Sequence, residues 1–109
     1  MAKSKKIRAI LKKVGEKPEI VMIDNTLEEM QRLVDGYIEL VPLPQMEFRL
    51  AMVVNEEGRL RGLPFNCRLF GQGYVGDIMM VKTRGSGFTD VPEDFAGRMC
   101  ELWELMGED

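Results

Sequence analysis

The chain of 109 residues contains no histidine. Histidine is the one side chain that ordinarily titrates near neutral pH, and it is the commonest metal ligand. Its absence removes the usual general base, every Ser–His or Cys–His nucleophile pair, and most zinc chemistry. Cysteine is nearly absent too. Cys67 and Cys100 stand 33 positions apart and cannot make a structural zinc site on their own. In a reducing compartment they are expected as two thiols packed like small apolar groups, not as a disulfide. No apolar run approaches the roughly 20 residues that span a bilayer. The opening Met-Ala-Lys-Ser-Lys-Lys lacks the apolar stretch of a secretory signal. A cytoplasmic protein with no membrane partner is therefore expected. The aromatics are one Trp, two Tyr and five Phe. They do not interleave with basic residues, so no base-stacking platform is indicated. No repeat, low-complexity tract or linker divides the chain, and its length suits one domain over 1–109 with one core.

Charge is present but uneven. Lys3, Lys5, Lys6, Arg8, Lys12, Lys13 and Lys17 against Glu16 give +6 over residues 1–17, and the net charge of −3 leaves −9 for the rest. Residues 1–6 are expected as a flexible basic tail. Beyond it, the basic residues of the first strand are expected on its solvated face. The alternative is a nucleic-acid contact through Lys3, Lys5, Lys6 and Arg8. A sequence pI near 5.1 makes that the weaker footprint.

Along the chain, Ile7 to Val14 and Glu19 to Ile23 read as two strands joined by Gly15-Glu16-Lys17-Pro18, a hairpin. Thr26 and Glu29 have capping-box spacing ahead of a short helix with Leu27, Met30, Leu33 and Val34 on one face. Gly36 is expected at its left-handed C-cap. Tyr37 to Val41 and Phe48 to Val54 read as strands, followed by a turn at Glu56-Glu57-Gly58 with Gly58 at positive φ. Arg59-Leu60 is expected to pair back briefly, and Leu63-Pro64-Phe65-Asn66 to form a helical turn or irregular loop. Ile78-Met79-Met80-Val81 reads as a strand buried on both faces. After a loop over 84–87, Asp90 and Glu93 are expected to cap a final helix, with Pro92 in its first turn and Phe95, Met99, Leu102 and Met106 on one face, broadened by Trp103. The pattern predicts an α+β domain, a mostly antiparallel sheet of about five strands with two helices packed on one face.

Few motifs carry chemistry. Gly71-Gln72-Gly73-Tyr74-Val75-Gly76 spells G-x-G-x-x-G but runs into a strand, whereas a dinucleotide turn must open a helix. A glycine-rich loop or bulge is the expectation. Asp77 is expected to cap that loop by accepting backbone N–H groups. Arg59, Arg61 and Arg68 flank the Leu63–Asn66 segment and make the best candidate anion site. The nine methionines fit core filling, with an adaptable binding surface as the other use. A hydrolase or transferase would need Asp24, Glu39, Glu57 or Asp77 to converge around a metal, and no spacing predicts that.

One set of residues carries a family resemblance. It comprises Gly15–Glu19, Ile23–Glu28, Gly36–Glu39 with Val41-Pro42, Asn55-Glu56-Glu57-Gly58 with Gly62-Leu63-Pro64 and Asn66, and Gly76-Asp77-Ile78. In these the chain resembles a domain-of-unknown-function family of short proteins encoded mainly by phages, plasmids and integrative elements of Gram-positive bacteria. The resemblance spans roughly residues 7–106. It implies a small mobile-element protein and offers no catalytic residues to carry over. The expected function is thus a non-enzymatic binding module without cofactor or metal. Its partner would be a protein or a small anionic ligand met around Asn55, Glu57, Arg59, Arg61, Asn66, Arg68, Gly71, Gly73 and Asp77. Oligomeric state is left open by the sequence.

Overall fold

A computed structural model describes residues 5–46 and 48–106. Its main sheet takes β1 (Lys6–Lys12), β2 (Glu19–Asp24), β3 (Ile38–Pro42), β4 (Leu50–Asn55), β7 (Ile78–Arg84) and β8 (Gly87–Thr89), in the order β2-β1-β7-β4-β3 with β8 also paired to β7. Every pairing is antiparallel. β5 (Phe65–Leu69) and β6 (Gln72–Val75) form a separate hairpin, and the helices are α1 (Leu27–Val34) and α2 (Glu93–Met106). The α+β class and the antiparallel sheet are as expected.

The helices, however, lie on opposite faces of the sheet. Met30 and Val34 of α1 pack with Ile7, Ala9, Leu11, Met79 and Val81, while Phe95, Ala96, Met99 and Trp103 of α2 pack with Ile10, Met52, Ile78 and Met80. Strand alternation sends odd and even positions of β1 and β7 to different faces. All four residues Ile78–Val81 are fully buried, so each face needs its own cover. The β5–β6 hairpin shares the α2 face through Cys67, Leu69 and Tyr74.

Local chemistry explains most boundaries. Thr26 Oγ1 accepts the Glu29 N–H at 3.1 Å and starts α1. The left-handed residue at the end of α1 is Asp35 (φ 62), not Gly36. Gly36 is required by close approach, since a Cβ there would stand 2.7 Å from Asn55 Nδ2. Gly36 does take positive φ (155), whereas Gly58 does not; a Cβ on Gly58 would meet Val75 Cγ2 at 2.9 Å. Residues 56–62 coil as successive turns with Arg61 N–H donating to Glu57 O, so Arg59-Leu60 does not pair back as a strand. Phe65 and Asn66 open β5 instead of a helical turn. The 84–87 segment is a tight turn that returns as β8. On α2 the buried set is Phe95, Ala96, Met99 and Trp103, whereas Leu102 and Met106 are exposed; Leu27 of α1 is exposed likewise. Asp90 does not cap α2: its Oδ1 accepts the Arg8 N–H of β1 at 2.7 Å. Burial, with Glu104 and Glu19 nearby, pushes the Cys100 thiol up from its ordinary pKa and keeps it protonated at neutral pH.

The β5–β6 turn is strained. Leu69 pairs with Gln72, so Phe70 and Gly71 are the two loop residues, and both have positive φ (52 and 77). That is the type I′ pattern, which favours Asn or Gly and disfavours a bulky side chain. Phe70 is partly exposed, so little packing offsets the strain. Phe70→Asn is expected to stabilise the protein by about 1 kcal/mol, the lower end of the left-handed penalty, read as a higher urea midpoint at unchanged m.

Candidate functional site

β1 ends with Lys12 turned to the same face as Ile10, beneath α2. The β1–β2 turn, the start of β5 and the C-terminal half of α2 enclose an open cleft of 390 Å³ there, lined by Lys12, Val14, Pro18, Asn66, Cys67 and Trp103. Sites for small ligands occupy roughly 300–1,000 Å³. The turn is held in place from outside, because Asp77 Oδ1 accepts the Val14 N–H at 2.9 Å. Lys17 and Glu104 pair loosely across the rim at 3.8 Å, both exposed.

Asn66 is 3% exposed, and its Nδ2 donates to Lys12 O (2.8 Å) and Gly76 O (2.7 Å). Both amide hydrogens thereby meet carbonyls. A flipped amide would set Oδ1 against two carbonyl oxygens, so the orientation is fixed and Oδ1 is an acceptor. That Oδ1 has no hydrogen-bond partner, and neither has Trp103 Nε1, a donor on a residue 1% exposed. A buried polar atom without a partner costs about 1–3 kcal/mol. Among the described residues these two are the only such side-chain atoms, and both belong to residues lining this cleft. Lys12 is 8% exposed; its Nζ donates to Lys13 O at 3.2 Å and enters no ion pair among the described residues. Lys12 therefore departs from the solvated face expected for the first strand.

The residues singled out from the sequence do not form one site. Asn55 is buried and structural: its Nδ2 donates to Val34 O and Asp35 O and its Oδ1 accepts the Glu57 N–H. Glu57 is an exposed turn residue. Arg61 is bound to Asp35 through the backbone O (2.6 Å) and Oδ2 (3.1 Å), and Arg59 donates to Gly73 O at 2.8 Å. The arginines are thus spent on different neighbours, and Arg68 stands exposed on β5. Arg59, Gly73 and Asn55 border a second, smaller cleft of 230 Å³ with Glu39, Glu56 and Tyr74. There burial, then Cys67, pushes the Tyr74 phenol up from its ordinary pKa. Gly71 sits in the β5–β6 turn and Gly73 within β6, so the G-x-G-x-x-G letters fall in a hairpin. Of the nine, only Asn66 lines the larger cleft.

The other groups stay apart. Asp24 pairs with Lys6 at 2.9 Å at the end of β2, Glu39 is on β3, Glu57 in the following turn and Asp77 between β6 and β7. Among the described residues no three of His, Cys, Asp and Glu gather as a cation site. In the basic segment Lys3 lies outside the described residues and Lys5 is exposed. Lys6 already belongs to β1, so the expected tail ends before it. Arg8 donates through its guanidinium to Val91 O at 3.0 Å. No helix of the described residues is long and apolar enough to cross a membrane.

Sequence reasoning missed Lys12 and Trp103. A signal existed for each: Lys12 shares its strand face with Ile10, and Trp103 is the one tryptophan, on a helix face built to be buried. No curated protein and no solved structure matches the chain. The model for the family described as "Domain of unknown function (DUF3846)" matches residues 7–104, and the chain belongs to that family.

Proposed function

We propose that this protein is a non-enzymatic binding module that takes a small molecule in the cleft between the β1–β2 turn and α2. One observation carries this reading. The two buried side-chain polar atoms left without partners, Asn66 Oδ1 and Trp103 Nε1, belong to residues of one ligand-sized cleft. A fold leaves such atoms unpaired at a cost, and a ligand that shifts these side chains enough to reach them, with a donor for one and an acceptor for the other, would recover it. The reading fits a cytoplasmic mobile-element protein that sequesters a ligand, the context implied by the resemblance at Asn55–Gly58 and Gly62–Asn66.

Native mass spectrometry of protein purified gently from its host tests this. The expected result is an added mass of a few hundred daltons that is absent after denaturation and absent from Trp103→Phe, which keeps an aromatic ring but loses the N–H. A bare chain mass that stays bare after incubation with host small-molecule extract would overturn the proposal.

A further inference from the structure

We infer that α2 pairs with α2 of a second copy of this chain, antiparallel across a two-fold axis, and that the protein thereby forms a weak homodimer. The inference stands apart from the cleft, which takes only Trp103 and Glu104 from this helix. α2 carries two apolar seams. Ala96, Met99 and Trp103 turn to the sheet and are buried. Phe95, Arg98, Leu102 and Leu105 repeat at 3-4-3 spacing, the period of a coiled-coil seam. They line a shallow groove of 430 Å³ built from α2 alone. Leu102 is 47% and Leu105 84% exposed, so among the described residues this seam has no cover. Burying the two leucines supplies the drive to associate.

Charge selects the occupant and its direction. Arg98 and Glu101 are exposed, one turn apart along the groove, and neither enters an ion pair among the described residues. A two-fold interface sets one patch against itself, so the patch must be its own complement. With the axis at the level of Cys100, Phe95 faces Leu105 of the second copy and Arg98 packs beside Leu102 of the second copy. The Arg98 guanidinium then reaches Glu101 of the second copy, and symmetry makes the pair twice. A parallel pair would set Arg98 on Arg98 and Glu101 on Glu101, which repels. A helix of fourteen residues is about 21 Å long. One face of that length buries less than the roughly 800 Å² per partner of a standard interface, so the dimer dissociates in the micromolar range.

Sedimentation velocity of the full chain, from about 1 µM to about 1 mM, tests this by mass action. The expected result is a mass that climbs with concentration from 12.5 kDa to twice that value. Leu105→Glu changes a side chain the fold barely touches and should weaken the dimer at least tenfold, on the order of one lost apolar contact plus a buried charge. Arg98→Glu alone and Glu101→Arg alone should each weaken it on the order of tenfold. Combining the two should restore it, because the charges only change places. A wild-type mass that stays at 12.5 kDa throughout would overturn the inference. So would a dimer that Leu105→Glu leaves intact, single charge variants that associate as well as the wild type, or a double variant no better than the singles. None of these outcomes touches the small-molecule reading of the cleft.

Discussion

Asn55→Ala is expected to cost about 1–3 kcal/mol of folding stability, the penalty of orphaning a buried backbone carbonyl. The side chain joins three pieces of the chain: the end of α1 through Val34 O and Asp35 O, the end of β4 where it sits, and the following turn through the Glu57 N–H. Alanine leaves Val34 O buried and alone. Asp35 O keeps a partner in Arg61, and the Glu57 N–H, in an exposed turn, can turn to water. The loss is therefore dominated by one carbonyl and by the release of α1 from the sheet. Asn55→Asp separates the two roles. It keeps the acceptor for Glu57 but sets a carboxylate oxygen against two carbonyls, so it should be at least as damaging as alanine. Urea unfolding with unchanged m measures both. A loss below about 1 kcal/mol for either, the worth of a single ordinary hydrogen bond, would contradict this role for Asn55.

Met80→Ala is expected to cost about 2–5 kcal/mol, the range for truncating a long core side chain. Met80 is fully buried at the centre of β7, between β1 and β4, and packs under α2. Met80→Leu conserves volume and should cost less than about 1.5 kcal/mol. Met22→Ala, on edge strand β2 and 53% exposed, should change stability by less than about 0.5 kcal/mol. The three together decide what the methionines are for. Met30, Met52, Met79, Met80 and Met99 are all buried to 1% or less, which is a core use. A flat response at Met80 would point instead to a loosely packed interior.

Legibility in the sequence followed the range of the interaction that set each feature. The Thr26 cap, the β1–β2 hairpin and the doubly buried β7 depend on neighbours in sequence and were readable. The placement of the helices depends on which face each strand offers, and β7 held the clue: a strand apolar on both sides needs two covers, which excludes two helices on one face. The β5–β6 hairpin stayed hidden because its turn is Phe70-Gly71, without the Asn or Asp that usually announces a type I′ turn. At the site, Asn66 was singled out for a loop it does not occupy. Its partners Lys12 O and Gly76 O lie 54 and 10 positions away, and Trp103 joins the cleft from the far end of the chain. A lysine among strand residues reads as solvated, and only tertiary packing beneath α2 buries it.

The sheet with one helix on each side has two separate apolar clusters, joined through the backbones of β1, β4 and β7. α1 is eight residues long and buries only Met30 and Val34 fully, whereas α2 is fourteen residues long and buries four. The two sides therefore need not open together. Fluctuations that lift α1 expose one cluster while the other, with the cleft, stays closed, and amide exchange in α1 can run ahead of exchange in β7. A chain of this size can thus breathe on one side of its sheet while keeping the other side rigid.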